Sequence, residues 1–538
     1  MSAFDAGRVH RSCAAPVLAL AAVVSLTAAS AADRRQPPRV DDSPCVWITL
    51  RPRATVSCDA YPPPCHLSDR AIERRATRRS AAGVFDDRDL DVDASCVARI
   101  QATGAEVRVV SRWLNAVSVR ATVAQIDAIR SLACVASIAP VARIVALAPR
   151  DASDHPAEGG VAGNFYGASE PQIAQLQLDA LHAASYTGAG VLVGILDTGF
   201  RRTHAAFNAV DHPLSVAAEY DFVNGDGNTA PEPGDAPTQH EHGTQVLGTL
   251  GAYQPGTLVG AAYDASYLLA KAEDIAPDTA IEEDYFVAGL EWLEANGADV
   301  ATSSLALLNV LGPEALDGTT SAMSIAFAIA GENGVHCFQG AGNNGHDADP
   351  STNHLVIPAD SFDVIAVGAV SATGTITSFS SDGPTLDGRR KPELLARGAS
   401  VWTVHPNNDT ALASPSGTSF STPLVAGVAA CLAQANPDWT PPQMRAALLS
   451  AASDFVTNGA PDPLMVRGYG IARAMEASAA SPPSADLNDD FLVNGADVAI
   501  VLGAWGECTR AVGCAGDLNH DGSVNASDLA IVLGAWTG

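Results

Sequence analysis

Six apolar runs punctuate the chain between residues 190 and 405, and longer segments with helical spacing separate them. Val191 to Leu196 is apolar or glycine at every position, and the segments near 266–271, 299–303, 335–339, 363–368 and 400–404 continue the series. A strand buried on both faces reads this way, because neither side of its pleat meets water. Helices are predicted near 242–251, 281–296, 319–333 and 421–435. The alternation predicts an α/β domain built on a parallel sheet with helices on both faces. On the 281–296 segment, Tyr285, Ala288, Leu290, Trp292 and Leu293 fall mostly at core spacing and suggest no function.

The pattern changes at both ends. Arg8 and Arg11 precede an Ala-rich apolar stretch from Ala14 to Ala29, and Ala29-Ser30-Ala31 offers a cleavage site, so residues 1–32 read as a signal peptide. The alternative is an uncleaved anchor; no later stretch is long and apolar enough to span a bilayer. Residues 45–150 alternate differently, with a capped basic helix from Leu67 to Arg75, a strand from Ser111 to Val119, an amphipathic helix from Val123 to Ser131 and a strand from Val135 to Val141. They form a separate small α+β domain. The large domain spans 160–477, a Ser/Pro linker follows at 478–484, and the last module covers 485–538.

Composition adds two constraints. A chain of 538 residues exceeds one ordinary domain, and its net charge of −29 excludes nucleic acid as a partner. An exported chain can form disulfides, but five cysteines (Cys45, Cys58, Cys65, Cys96 and Cys134) fall between the predicted signal peptide and residue 150, leaving an odd one. Cys337 and Cys431 lie in apolar runs and read as buried small side chains.

Candidate chemistry lies where these elements end. Ser419 sits in Gly417-Thr418-Ser419, just before the helix whose first turn tolerates Pro423, so its hydroxyl meets a helix N-terminus that favours negative charge. Asp197 closes the strand run in Asp197-Thr198-Gly199, at the strand end where ligands gather in open α/β sheets. His242 opens a helix in His242-Gly243-Thr244, and Asn343 follows another strand in Gly340-Ala341-Gly342-Asn343. Each has a plainer reading alone: Asp197 as a cap, Asn343 as a turn, and His240 with His242 as a metal pair. The spacing of a zinc-protease His-Glu-x-x-His is absent, and no Gly-x-Ser-x-Gly elbow encloses Ser419.

The order Asp, His, Ser is that of subtilisin. With Ser304-Leu305-Ala306, Ala341-Gly342-Asn343 and the weaker Lys391-Pro392-Glu393, the sequence from about Tyr166 to Ala477 resembles the subtilisin-like serine proteases (subtilases). The resemblance implies a subtilisin-like parallel sheet and a serine endopeptidase acting on protein or peptide substrates. It implies Ser419 as nucleophile, His242 as general base, Asp197 as the group orienting it and Asn343 as oxyanion donor. Ser304, Leu305 and Ala306 would pair with an extended substrate, beside Ala341 and Gly342. Ala306 stands where the family usually has glycine, so its methyl is expected to narrow the groove.

Residues 45–150 are similar to the inhibitory propeptides preceding many secreted subtilases, implying a zymogen cut in the polar stretch from Asp151 to Asn164. The alternative is a permanent N-terminal binding domain.

In the last module, a twelve-residue pattern beginning at Asp486 recurs at Asp517, a period of 31 residues. Asp486, Asn488, Asp490, Asn494 and Asp497 in one copy, and Asp517, Asn519, Asp521, Asn525 and Asp528 in the other, occupy loop positions 1, 3, 5, 9 and 12, the oxygen pattern of a Ca²⁺ loop. Duplication and aspartate at position 12 resemble dockerin modules, implying a small all-α calcium-binding unit with a cohesin-like or cell-surface partner. Phe491 replaces the turn glycine that Gly522 supplies in the second copy, which predicts a weaker first site. Helix-capping Asx turns are the alternative. Calcium in the large domain is also expected from the resemblance. Two function classes follow: a secreted, calcium-dependently attached endopeptidase, and a catalytically silent scaffold of the same fold.

Overall fold

The structure, a computed structural model, describes residues 43–52, 66–80, 83–147, 164–276, 282–307, 312–480, 485, 487, 493–507, 516–518 and 523–536. The predicted signal peptide, Cys58, Cys65, Cys508, Cys514, residues 151–163 and 481–484, and Asp486, Asn488, Asp490, Phe491, Asn519, Asp521 and Gly522 lie outside the described residues.

The N-terminal domain is a four-stranded antiparallel sheet in the order β2-β3-β1-β4. It comprises β1 (Cys45–Leu50), α1 (Asp69–Arg78), α2 (Ala94–Gln101), β2 (Glu106–Ser111), β3 (Ala116–Arg120), α3 (Val123–Arg130) and β4 (Val135–Pro140). The single strand expected over 111–119 is a hairpin turning at Asn115, whose φ of 45° permits the bend. Alternation on β1 divides its side chains between two cores. Val46, Ile48 and Leu50 pack with α2 and α3, while Cys45 and Trp47 join the core of the large domain. Cys96 and Cys134 form a disulfide; Cys45, Cys337 and Cys431 are buried thiols. A short tail strand, β5 (Ile144–Ala146), leads out of the domain.

The large domain opens with α4 (Glu170–Gln175) and α5 (Leu178–Ala183) and holds a seven-stranded parallel sheet. Its strands are β6 (Leu192–Asp197), β7 (Ser215–Asp221), β10 (Ser266–Lys271), β11 (Val300–Ser303), β13 (His336–Gly340), β14 (Val364–Val370) and β15 (Leu394–Arg397), ordered β15-β14-β13-β11-β6-β10-β7. The pair β8 (Tyr253–Gln254) and β9 (Leu258–Val259) and the strand β12 (Leu305–Leu307) stand outside it.

The continuous apolar runs serve both faces, as expected. Val193 and Ile195 meet α6 (Glu241–Gly251) and α9 (Thr418–Ala435), while Leu192 and Leu196 meet α7 (Glu283–Ala295) and α8 (Ala322–Glu332). Both edge strands differ from expectation. β7 is half-exposed and β15 has only four residues, so neither forms an apolar run. The run at 400–404 contributes a two-residue strand, β16 (Thr403–Val404), which pairs with β17 (Leu412–Ala413) away from the main sheet.

Three helices, α10 (Pro441–Ser450), α11 (Ser453–Asn458) and α12 (Ala474–Ser478), complete this domain. Among the described residues, α9 is the one helix long and apolar enough to cross a membrane, and it is buried in the core. The last module pairs α13 (Gly495–Gly503) with α14 (Ala526–Gly534) and adds a two-residue ladder, β18 (Gly506–Glu507) with β19 (Ser523–Val524).

Candidate active site

The parallel topology brings the three candidate catalytic residues together. Asp197 ends the central strand β6, His242 is the second residue of α6, and Ser419 is the second residue of α9. His242 Nδ1 lies 2.7 Å from Asp197 Oδ1, with both residues buried. That approach requires Gly243, where a Cβ would fall 2.3 Å from the Gly199 carbonyl oxygen. Burial disfavours charge on the His242 ring, but the Asp197 carboxylate outweighs it and raises the pKa above the ordinary histidine value. His242 Nε2 meets no partner within ordinary hydrogen-bond geometry and faces the Leu147 backbone, which adds to the rise in its pKa.

Helix α9 starts at Thr418, three residues earlier than the sequence predicts, so Pro423 lies inside it. Proline has no N–H for the carbonyl four residues back. That carbonyl belongs to Ser419, and it accepts instead from Ser304 Oγ at 3.3 Å. The proline thereby ties the serine turn to the end of β11. Asn343 stands beside this turn, its Oδ1 accepting from the Thr418 N–H and hydroxyl, each at 3.0 Å. These bonds fix the amide, and its Nδ2 lies near Gly417.

The tail of the N-terminal domain fills the groove. Strand β5 pairs antiparallel with β12, with Ala146 opposite Leu305, Val145 opposite Ala306 and Ile144 opposite Leu307. The Leu147 N–H donates to the Ser304 carbonyl at 2.9 Å. Ser419 Oγ donates to the Leu147 carbonyl oxygen at 2.7 Å.

Residues 188–471 match the model of the Subtilase family, and residues 45–155 match the Peptidase S8 propeptide domain of Bacteroidota. The chain belongs to the subtilase family of serine peptidases. It is 33% identical over 281 residues to subtilisin DY of Bacillus licheniformis, covering 52% of this chain and 90% of that protein. It is 32% identical over 282 residues to subtilisin E of Bacillus subtilis strain 168, spanning 65% of that protein. The fold is similar to fervidolysin from Fervidobacterium pennivorans, a keratinolytic enzyme related to subtilisin. The TM-score is 0.56 at 22% identity, covering 82% of this chain and 61% of that one.

The N-terminal domain is thus a subtilase propeptide, and its strand β5 lies along β12 of the peptidase domain. The Leu147 side chain lies over Gly340, where an added Cβ would come within 2.6 Å of Leu147 Cδ1. Ala341 and Gly342, expected as groove residues, continue from this floor, and Ala341 is fully buried. Gly340 escaped the sequence reading, as did Glu273. The Glu273 carboxyl accepts from the Ala146 N–H; burial, reinforced by nearby Asp197, pushes its pKa up to about 7. Glu282, buried nearby, is pushed up to about 10 by burial and then by Glu273. Glu273 Oε2 and Glu282 Oε2 are both buried without a hydrogen-bond partner.

The suggested histidine metal pair does not form, since His240 Nε2 contacts Asn407 Oδ1 at 3.0 Å while His242 faces Asp197. Subtilases commonly bind calcium, and among the described residues Asp221, Asp226 and Glu232 bring carboxylate oxygens within 4.8 Å of one another. Lys271 occupies part of that charge, 2.9 Å from Asp221 and 3.0 Å from Asp235. In the last module, Asn494 and Asn525 cap α13 and α14, and Asp497 and Asp528 close the capping boxes. Asp497 also accepts from the Leu487 N–H at 2.6 Å, and Asp528 from the Leu518 N–H at 2.8 Å. Asp517, Asp497 and Asp528 are buried.

Proposed function

We propose that this chain is a secreted serine endopeptidase, made as a zymogen, that cuts its own Leu147–Ala148 bond. The observation carrying the reading is the Leu147 carbonyl against Ser419 Oγ, with the Asp197–His242 pair alongside. Ser419 Oγ attacks the Leu147 carbonyl carbon as His242 Nε2 takes its proton. Asp197 holds the ring with Nδ1 protonated and stabilises the imidazolium. Asn343 Nδ2 and the Ser419 N–H at the start of α9 stabilise the oxyanion. Collapse breaks the C–N bond, and His242 protonates the Ala148 amine. Water then enters, gives a proton to His242 and releases the acyl group from Ser419, regenerating the hydroxyl.

Ser304, Leu305 and Ala306 bind substrate as an added antiparallel strand, as they hold the tail. The floor at Gly340 fits an unbranched or γ-branched aliphatic residue such as leucine. Secretion rests on the composition of residues 1–32.

The last module is read as dockerin-like, with calcium held by the two predicted loops and attaching the enzyme to a cohesin-like or cell-surface partner. Supporting this, the duplicated helices and the residues just after them expose equivalent apolar side chains, Leu502 with Trp505 and Leu533 with Trp536, spaced by the same 31 residues as the loops. Bound calcium would neutralise those acidic loops; Asp486 to Asp497 and Asp517 to Asp528 supply the oxygens.

A serine-directed fluorophosphonate probe tests the activity. The mature chain is expected to label at Ser419 and Ser419→Ala to stay unlabelled; labelling unaffected by that substitution would overturn the reading.

A further inference from the structure

Besides the tail in the groove and the sheet face packed on α7, the propeptide grips the peptidase domain at a further place, far from the groove. Helix α1 and the residues after it carry Arg70, Arg74, Arg75, Arg78 and Arg79, and this segment lies against the C-terminal ends of α7 and α8. Arg75 spans both oxygens of Glu294, each at 2.7 Å, and also meets Asp89 at 2.7 Å. Arg74 bonds Glu294 as well and donates to the carbonyls of Ala298 at 2.7 Å and Asn333 at 3.2 Å. Arg78 reaches Asp299 at 3.2 Å and the Pro437 carbonyl at 2.6 Å; Arg70 pairs with Asp299. Arg79 donates to Asn333 Oδ1 at 2.8 Å.

Arg74, Arg75 and Glu294 are almost wholly buried, so none of these charges is shared with water. Burial pushes the Glu294 carboxyl up, but Arg74 and Arg75 overcome it and hold the pKa below the ordinary glutamate range. The carbonyls at the ends of α7 and α8 carry the negative end of each helix dipole and lack intrahelical donors, and guanidinium groups meet both needs.

Asp299 immediately precedes β11 and His336 begins β13, so the arginines sit at the N-terminal edge of the sheet. Leu147 sits at the opposite edge, where β6 and β11 end. Strands of four to seven residues put roughly 13–23 Å between the two edges.

We propose that Glu294, Asp299, Asn333 and the carbonyls at the ends of α7 and α8 form an exosite for an arginine-bearing helix. This exosite holds the propeptide independently of the groove. Resting on the maturation reading above, it makes inhibition bipartite: after the Leu147–Ala148 bond is cut, the tail can leave the groove while α1 remains anchored, ready to return it. The exosite selects arginine over lysine, because paired donors in a buried site suit a guanidinium.

Hydrogen exchange on the full-length Ser419→Ala chain tests the anchor without needing activity. Val145→Asp, facing Ala306, evicts the tail. The anchor predicts that residues 69–79 keep their protection within about threefold while 144–147 lose theirs by about a hundredfold. Loss of protection at both segments together would overturn it.

In the active chain, Arg75→Gln is expected to leave the cut site and the final kcat/KM unchanged and to release the propeptide at least about tenfold faster after cleavage, seen as a shortened lag. An unchanged lag also overturns the proposal. If instead the active chain is not cut, the maturation reading fails, and the exchange measurement still decides the anchor.

Discussion

Ser419 Oγ and the Leu147 carbonyl oxygen are 2.7 Å apart, so the proposed nucleophile faces the tail of its own propeptide. The proposed reacting carbonyl therefore lies upstream of the polar stretch from Asp151 to Asn164, where composition alone puts the cut. Glycine and charge mark a segment accessible to proteases, whereas the groove selects a bond through strand register. Leu305 opposite Ala146 and the Leu147 N–H on Ser304 fix that register.

The pocket under Leu147 has glycine as its floor. Gly340→Ala would push a methyl to within 2.6 Å of Leu147 Cδ1. We expect kcat/KM on substrates with leucine before the cut bond to fall by about 10- to 100-fold, and on those with alanine there by much less. A panel of peptides differing at that residue reads the difference.

Glu273 makes tail binding pH-dependent. Its pKa is about 7 with the tail in place, against about 4.3 for a solvated glutamate, so binding takes up a proton. A raised pKa gives an affinity that is full below about pH 4.3, falls by at most about tenfold per pH unit, and levels off above pH 7. Glu282 keeps its proton throughout this range. Propeptide dissociation measured from pH 4.5 to 7.5 should accelerate in the parent chain, and Glu273→Gln should flatten the part of that slope not carried by His242.

Ser304→Ala removes the hydroxyl that accepts the role left open by Pro423. The Ser419 carbonyl is then buried without a donor, costing about 1 kcal/mol. A fall of a few degrees in Tm by calorimetry is expected, with a larger drop in kcat than in KM because the serine turn loses its tie to β11.

The Cys96–Cys134 bridge spans 38 residues of the propeptide. Replacing both with serine should destabilise that domain by about 3 kcal/mol and lower the yield of processed enzyme, while the specific activity of what matures stays unchanged. Active-site titration separates yield from activity.

The sequence discloses the candidate site better than its surroundings. Asp197, His242, Asn343 and Ser419 are legible because strand ends and helix starts carry short motifs whose glycines are demanded by close backbone approach, as Gly243 is. The five buried strands are legible because water meets neither face. The edge strands β7 and β15 are not, since exposure and brevity erase the run.

Helix α7 misleads in another way. Its apolar residues mark it as core, yet Glu283, Asp284, Glu291 and Glu294 are all buried by the propeptide, with Asp284 meeting Arg108 and Glu291 meeting Ser111. Acids on a core helix and arginines on α1 signal an interface only when paired, and no local pattern joins residues over 200 positions apart. Glu273 is hidden likewise, because its partner is a backbone N–H from another domain.

The most direct test is N-terminal sequencing of the chain after refolding from denaturant alone, beside Ser419→Ala. The account predicts a mature peptidase beginning at Ala148 and no processing of the Ser419→Ala chain. A first cut at another bond, or processing that persists without the Ser419 hydroxyl, would contradict it.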